Sequence, residues 1–206
     1  PHYFVNFAAD PGGTGSDWIV AHQTDNSDHD QDIVVGDNGY ATFDAGEGDF
    51  GYYEIIREIA STDFDLGNDD VISTGNGPDI VIGGTAADII DSGTAATDDN
   101  SRDIVIGDSG KAVFDTEGRL DTIESLAFDI GGNDAITTGG GGDIVIGGDG
   151  ADNIDTTGKR GQADRDIILG DSGIADFDSD TAVLRSIRTL ADHIGDTDTI
   201  HAAYDF

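Results

Sequence analysis

The chain repeats itself along its length, and this repetition constrains its fold more than any other feature of the sequence. A shift of 64 residues superposes DDVISTGNGPDIVIGGTAADIID (69–91) on NDAITTGGGGDIVIGGDGADNID (133–155). Within both segments aspartates recur every nine residues, at Asp70, Asp79 and Asp88 and at Asp134, Asp143 and Asp152. Such fixed periods are typical of repeat proteins, in which each unit packs on its neighbours. We therefore expect a single array of repeats over 1–206. Its units are expected near 1–58, 59–122 and 123–186, with a partial unit at 187–206.

The composition is strongly acidic, with 43 Asp and Glu residues against 9 Lys and Arg and a formal net charge of −34. Acidic chains with few aromatic residues are often disordered, but here Ile and Val recur at regular intervals, which favours a folded chain. Repulsion between this charge and phosphate groups argues against nucleic-acid binding. No stretch approaches the roughly 18–20 apolar residues of a membrane helix, so we expect no membrane insertion. The absence of Cys excludes disulfides and thiolate metal sites.

A second recurring element contains the letters GDSG or GDNG. It reads DIVVGDNGYATFD from Asp32, DIVIGDSGKAVFD from Asp103 and DIILGDSGIADFD from Asp166. The letters GDSG also surround the nucleophile of chymotrypsin-like serine proteases. A catalytic serine, however, is needed once, beside one histidine and one oxyanion hole, and the first copy has Asn38 in its place. The recurrence favours a structural turn, and we predict that the chain is not an enzyme.

The nine-residue repeat has a recognisable consensus. Residues 147–155, GGDGADNID, match G-G-x-G-x-D-x-U-x at every fixed position, with Ile154 as the apolar residue U. Residues 12–20, GGTGSDWIV, match it as well, with Ile19 as U. In this respect the chain resembles the RTX (hemolysin-type) calcium-binding repeat family. The resemblance is clearest over 12–20, 70–91 and 134–155.

The resemblance implies an all-β fold, a right-handed parallel β-solenoid of the β-roll kind with Ca²⁺ between stacked turns. In such a repeat GGxGxD forms a turn and xUx forms a short strand, and two nonapeptides complete one coil. If each long repeat contains three coils, the chain is expected to contain about nine or ten coils. The family's proteins are typically exported and fold outside the cell, so the resemblance also implies an extracellular, secreted bacterial protein.

Aspartates that lie 18 residues apart should stack on one another in this arrangement. The predicted pairs at this spacing are Asp70 with Asp88 and Asp134 with Asp152. An outward loop of five or six residues lengthens the step in two further predicted pairs, Asp79 with Asp103 and Asp143 with Asp166. Ca²⁺ prefers six or more oxygen ligands, which carboxylates and turn carbonyls of two stacked turns can supply together. The candidate calcium ligands are Asp17, Asp32, Asp37, Asp70, Asp79, Asp88, Asp103, Asp108, Asp134, Asp143, Asp152, Asp166, Asp171 and Asp198. Among these, Asp37, Asp108 and Asp171 occupy the second glycine position of a turn instead of the regular aspartate position.

Strands of two kinds alternate along the chain. Those that follow Asp32, Asp79, Asp103, Asp143 and Asp166 are apolar throughout. Those of the opposite kind have polar residues beside U, and we assign Val71-Ile72-Ser73, Asn153-Ile154-Asp155 and Asp176-Phe177-Asp178 to them. The apolar strands would expose a stripe of Ile and Val, which a protein normally covers.

Three segments of the chain could cover this stripe, and a neighbouring molecule is the alternative. They lie at 52–62, 117–128 and 181–192, and two of them carry apolar residues three positions apart. That spacing does not distinguish a short helix from an irregular strand. A wider core made by these segments is the interpretation we favour.

These patterns lead to one principal function and two alternatives. We expect a calcium-binding structural segment of a long extracellular repeat protein, such as an adhesin, a surface fibre or a matrix fibre, that folds and stiffens on binding several Ca²⁺ ions. We expect calcium as its partner, with further copies of itself as a second candidate. A ligand-binding module for a glycan or another surface is an alternative, with Trp18 as a candidate contact; an export domain attached to a secreted enzyme is another. Threonines do not recur in one position of every coil, which argues against an ice-binding row.

Overall fold

The computed structural model describes residues 3–7, 16–21, 31–48, 51–93, 99–158, 165–190 and 196–202. Within these ranges the protein is all-β, as expected, and none of the described residues lies in a helix. The described part of the chain accordingly has no helix long and apolar enough to cross a membrane. Residues 12–15, the first four of the nonapeptide GGTGSDWIV, lie outside the described ranges.

The described residues form 18 strands. In chain order they are β1 (Tyr3–Phe7), β2 (Trp18–Val20), β3 (Gln31–Val35), β4 (Gly39–Gly48), β5 (Gly51–Ser61), β6 (Val71–Ser73), β7 (Ile80–Gly84), β8 (Ile89–Asp91), β9 (Ile104–Asp108), β10 (Gly110–Phe114), β11 (Leu120–Ser125), β12 (Ala135–Thr137), β13 (Ile144–Gly148), β14 (Asn153–Asp155), β15 (Ile167–Asp171), β16 (Gly173–Phe177), β17 (Leu184–Thr189) and β18 (Thr199–His201).

Two of the three sheets are parallel, and the chain alternates between them. Sheet A has the strand order β1-β3-β7-β9-β13-β15, and sheet B has the order β2-β6-β8-β12-β14-β18. In sheet A the register is constant, since Ile104 lies opposite Ile80 on one side and Ile144 on the other. In sheet B, Ile72 lies opposite Ile90 in the same way. The two kinds of strand that the sequence predicts therefore belong to two different sheets.

The third sheet, sheet C, is antiparallel and consists of three hairpins. Its strand order is β17-β16-β11-β10-β5-β4. One hairpin follows each of β3, β9 and β15, which are every second strand of sheet A along the chain. The segments at 52–62, 117–128 and 181–192 contain strands β5, β11 and β17. Their described residues therefore form strands and no helix.

A register shift explains the three-residue apolar spacing that made this choice ambiguous. The pairing of β10 with β11 shifts between Val113 and Phe114. Such a bulge sets two residues opposite one, so that Leu120 and Ile123 both face inward although they are three positions apart.

Two expectations about the repeat are wrong. The described part of each parallel sheet has six strands, where nine or ten coils were expected. The long repeat holds two levels, each with one strand of sheet B and one of sheet A, and its remaining length forms a hairpin. For the same reason Asp176-Phe177-Asp178 is not a strand of the second kind. Residues up to Phe177 belong to β16 in sheet C.

Sheet A is the middle layer and is apolar on both faces because successive side chains of a strand point to opposite sides. One face, with Ile33, Ile80 and Ile106, packs on Ile123 and Phe114 of sheet C. The other face carries the valines of the IVV and IVI strands, which pack on the central isoleucines of sheet B. Each fully buried Ile contributes about 1.5–3 kcal/mol. The apolar stripe is thus covered by the chain itself, which confirms the prediction of a wider core.

Candidate metal-binding site

Six aspartates form a continuous row where the chain turns into sheet B. This B row consists of Asp17, Asp70, Asp88, Asp134, Asp152 and Asp198. The backbone N–H of each donates to the Oδ1 atom of the next. The N···O distances are 2.7 Å for Asp17 to Asp70, 2.8 Å for Asp70 to Asp88, 2.8 Å for Asp88 to Asp134, 2.9 Å for Asp134 to Asp152 and 3.0 Å for Asp152 to Asp198. The row therefore ties every level of the stack to the next.

Five further aspartates form an equivalent row where the chain turns into sheet A. This A row consists of Asp32, Asp79, Asp103, Asp143 and Asp166. The same N–H to Oδ1 bonds measure 2.9 Å for Asp32 to Asp79, 3.0 Å for Asp79 to Asp103, 3.0 Å for Asp103 to Asp143 and 3.1 Å for Asp143 to Asp166. All four predicted stacked pairs are confirmed as neighbours in the two rows, while their binding of an ion stays a prediction.

The two rows differ at their second carboxylate oxygen, Oδ2. In the A row a hydroxyl group of the same turn donates to this atom. Ser92 Oγ lies 2.7 Å from Asp103 Oδ2, Thr138 Oγ1 lies 2.6 Å from Asp143 Oδ2, and Thr156 Oγ1 lies 2.7 Å from Asp166 Oδ2. Thr74 stands in the same place before Asp79, but its Oγ1 does not form the hydrogen bond, and Asp79 Oδ2 is buried without a partner.

In the B row the Oδ2 atoms of four aspartates are buried and have no hydrogen-bond partner. They belong to Asp70, Asp88, Asp134 and Asp152, whose side chains are at most 2% exposed. A buried polar atom without a partner ordinarily destabilises a fold by about 1–3 kcal/mol, and more when it is charged. Four such atoms in one row therefore call for a positive partner.

Each of these four oxygens lies close to the glycine that follows the apolar residues of a sheet A strand. These glycines are Gly36 for Asp70, Gly83 for Asp88, Gly107 for Asp134 and Gly147 for Asp152. A Cβ atom on Gly147 would lie 2.2 Å from Asp152 Oδ2 and 2.2 Å from the carbonyl oxygen of Gly170. The place beside the glycine is thus bordered by a carboxylate oxygen and by a carbonyl oxygen of the next level, and both atoms are acceptors.

Burial raises the pKa of several aspartates in each row. It raises the pKa of Asp88 to about 9 and that of Asp134 to about 10, and nearby carboxylates add to both shifts. Burial also raises the pKa of Asp152 and of Asp143 to about 7. The cause is that a buried carboxylate loses its hydration when it is charged. At neutral pH these rows hold either protons or cations.

The other three candidates, Asp37, Asp108 and Asp171, lie outside both rows. Asp108 is opposite Gly84, which confirms that it occupies a second glycine position. Its Oδ1 accepts a hydrogen bond from the backbone N–H of Gly132 at 2.9 Å. Asp37 Oδ2 accepts one from the N–H of Thr85 at 2.6 Å. These two carboxylates therefore hold neighbouring loops in place, and Asp171 Oδ1 is buried without a partner.

A calcium ion between these turns would draw mainly on backbone oxygens. Within the described ranges, no three His, Cys, Asp or Glu side chains form a group that could hold a metal ion. Two carboxylates from stacked turns with carbonyl oxygens of the same turns are nevertheless a donor set that Ca²⁺ accepts, since it binds six to eight oxygens in flexible geometry. At each of four levels of the B row the structure brings together one free Oδ2 atom and one glycine carbonyl oxygen, which are two of the oxygens that such a set requires.

The sequence interpretation missed the hydroxyl groups of the A row. Three threonines and one serine follow successive strands of sheet B and occupy one position: Thr74, Ser92, Thr138 and Thr156. Serine takes this position once, and Ala21 and Ala202 take it after β2 and β18, so the expectation that threonines do not recur in every coil is confirmed. The four hydroxyl residues are buried and form no surface row. The sequence shows this hydroxyl position at two turns, where Thr74 and Thr138 replace the first glycine of the GGxGxD pattern before Asp79 and Asp143.

The two GDSG serines, Ser109 and Ser172, are buried where β9 turns into β10 and where β15 turns into β16. Their carbonyl oxygens accept hydrogen bonds from Leu126 N and Leu190 N, both at 2.8 Å. These contacts are those of a structural turn.

Comparisons with protein-family models, with curated proteins and with solved structures give no match for this chain.

Proposed function

We propose that this chain is a calcium-binding structural segment that folds and stiffens when Ca²⁺ enters between its turns. The observation that supports this most is the row of four buried Oδ2 atoms without partners at Asp70, Asp88, Asp134 and Asp152. Protons can neutralise these carboxylates at low pH, but at the pH of most extracellular fluids only a cation does so without opposing their ionisation. Binding energy then becomes folding energy, as in other metal-dependent domains.

Calcium suits this row better than magnesium does. Mg²⁺ requires near-ideal octahedral geometry at about 2.0–2.1 Å and keeps several of its waters, whereas Ca²⁺ accepts irregular sets of carboxylate and carbonyl oxygens at about 2.3–2.6 Å. The B row offers carboxylates and glycine carbonyls fixed by the backbone, in turns with little room for water. We therefore propose selectivity for calcium.

In this proposal the fold is a right-handed parallel β-solenoid of the RTX β-roll kind. Its support is the alternation of the chain between sheets A and B with constant register, together with the GGxGxD turns. The hairpins of sheet C are then an addition that broadens every second coil. One level repeats without a change of contacts, so further levels can be added at either end.

An extended fibre or stalk follows from that property. At one end of the stack Ile200 of β18 is 46% exposed, whereas its neighbour Ile154 is fully buried. A further level would bury Ile200 as the stack buries Ile154. We propose that the segment belongs to an adhesin, a surface fibre or a matrix fibre of a secreted bacterial protein, with calcium and further repeats as its partners.

The test is a calcium titration of metal-free protein followed by far-UV circular dichroism, with magnesium as the control. We expect a cooperative gain of β-structure with Ca²⁺ and little change with Mg²⁺ at the same concentration. Full β-structure in metal-free protein near pH 8 would contradict the proposal, because the fold would then not depend on the ion. Absence of structure at millimolar calcium would contradict the fold itself.

Ligand binding on the outer face of sheet B is a second candidate. Trp18 is 80% exposed there and lies in one row with Val71 and with Ile89, which is 53% exposed. Aromatic side chains on a flat surface can stack on sugar rings. Because Trp18 is the single tryptophan of the chain, its fluorescence reports directly on added oligosaccharides. Unchanged fluorescence at saturating oligosaccharide would exclude this use of the surface.

A further inference from the structure

We propose that the two aspartate rows use different chemistry, such that the B row binds divalent cations, whereas Ser and Thr hydroxyl groups close the A row without metal at Asp103, Asp143 and Asp166. This inference rests on the proposed function and makes it more specific. It departs from the symmetric expectation that every aspartate of both rows is a calcium ligand.

The two rows use the carboxylate oxygen Oδ1 in the same way. In both rows Oδ1 accepts the backbone N–H of the preceding level, at 2.7–3.1 Å. Asp103, Asp143 and Asp166 of the A row therefore differ from the central aspartates of the B row in what is offered to Oδ2. This makes the A row an internal comparison for the B row, with the same backbone bond and the same residue type.

In the A row the hydroxyl group supplies the positive end that Oδ2 needs. Thr138 precedes Asp143 by five residues within one turn, and its Oγ1 lies 2.6 Å from the carboxylate. Hydrogen bonds from a hydroxyl to a charged oxygen are short and about twice as strong as neutral ones. Both oxygens of Asp143 thus have a donor, and a cation beside Oδ2 would have to displace the hydroxyl group.

In the B row no side chain can take that place. A Cβ atom on Gly83 would lie 2.5 Å from Asp88 Oδ2 and 2.1 Å from the carbonyl oxygen of Gly107. Real Cβ atoms do not approach other atoms so closely, so a serine or threonine cannot be accommodated there without movement. A carboxylate oxygen and a carbonyl oxygen then border the same place with no donor between them. A proton on Oδ2 satisfies both oxygens while the carboxyl group is neutral, and a cation satisfies both once it is ionised.

The inference makes a prediction about the number of ions. The six aspartates of the B row leave five spaces between levels, and the five of the A row leave four. If only the B row binds, metal-free protein should take up no more than five Ca²⁺ ions from these rows. If both rows bind, the number should reach nine.

The sharpest test compares one substitution in each row. D152N and D143N each keep an Oδ1 acceptor for the stacking bond, and both aspartates are at most 1% exposed. Calcium binding to metal-free protein is measured by isothermal titration calorimetry, and folding is followed by circular dichroism. We expect D152N to lose at least one calcium ion. We expect D143N to bind as many ions as the parent protein, with affinity within about threefold.

A second pair of variants guards against a loss of folding. Thr138→Val removes the hydroxyl group while it keeps the side-chain shape, and Thr138→Ser restores it. Because Thr138→Val leaves Asp143 Oδ2 without a donor, its melting temperature should fall by roughly 2–10 °C. Its number of calcium ions should stay the same. Thr138→Ser should recover most of the melting temperature.

Each outcome separates this inference from the proposed function. Equal losses of calcium in D143N and D152N, or a lower ion number in Thr138→Val, would overturn the division between the rows while calcium-linked folding stands. Absence of calcium binding by the parent protein would overturn both.

Discussion

Metal-free protein should become less stable as the pH rises from about 5 to 8, which is the reverse of what most acidic proteins do. The buried aspartates have folded-state pKa values raised above the value of 3.8 that they have when exposed, for example to about 7 at Asp152 and about 9 at Asp88. In that pH range the unfolded chain has lost these protons while the folded chain retains them. Stability is therefore complete below about pH 4 and falls as the pH passes through the folded values.

The size of the effect follows from the shifts. Each group contributes about 1.4 kcal/mol per pH unit over the range between its two pKa values. A shift from 3.8 to about 7, as at Asp143 and Asp152, therefore removes on the order of 4 kcal/mol per group by pH 8. Two groups alone remove an amount comparable to the whole stability of a typical domain, about 5–15 kcal/mol. We expect metal-free protein to lose its fold as the pH rises to about 8, and calcium to restore the fold.

The assay is urea unfolding of protein freed of metal by passage over a chelating resin, at several pH values between about 5 and 8. The free energy of unfolding should fall steadily with pH in metal-free protein. Millimolar calcium should reduce this dependence because the ion replaces the protons of the B row, whereas the contribution of Asp143 in the A row should remain. A constant or rising free energy of unfolding across this range, without metal, would refute the reasoning from buried carboxylates.

Two further predictions follow from close packing. Gly147→Ala should lower the stability by about 1–3 kcal/mol, because its Cβ would meet the Gly170 carbonyl; Gly142→Ala, whose Cβ meets nothing closer than 3.5 Å, should be neutral or stabilising. Urea unfolding in calcium decides between them, and equal effects would contradict the close approach. Ile123→Ala should destabilise the fold by about 2–5 kcal/mol because Ile123 is fully buried between sheets A and C. Ile187→Ala, at the equivalent position 64 residues later but 40% exposed, should have a smaller effect in the same assay, and equal losses would argue against this edge position.

Four of the nine stacked aspartate pairs could be predicted from the sequence because two independent patterns fix them. The regular spacing sets which residues are neighbours, and the apolar strand after each aspartate sets the sheet to which it belongs. A shift of one residue would turn Ile80 and Ile82 of β7 to the opposite face. The sequence therefore tolerates only one register for Asp79 against Asp103, and the structure has it.

The hairpins of sheet C could not be predicted because their local pattern is ambiguous. Leu120 and Ile123 are three positions apart, which suits a helix as well as a strand with a bulge. What decides between them is the apolar face of sheet A, which offers a broad flat surface to a pair of strands. That information lies in residues far away along the chain.

The hydroxyl groups of the A row were hidden by variable spacing. Thr138 is five residues from the carboxylate to which it donates, but Ser92 is 11 residues from Asp103. Loops inserted into the turn cause this difference, and the change from Thr to Ser conceals it further. The chemical contrast between the two rows emerges only when the turns are superposed in space.

The central claim is that calcium lies beside the free oxygens of the B row, and a crystal structure of the calcium-loaded protein tests it most directly. Anomalous scattering recorded at long wavelength would locate calcium without reference to the coordinates. The account predicts peaks within coordination distance of the Oδ2 atoms of Asp88, Asp134 and Asp152, and none beside Thr138. Peaks in both rows would contradict the division between them. Calcium-loaded crystals with no peak beside the B row would contradict the account as a whole.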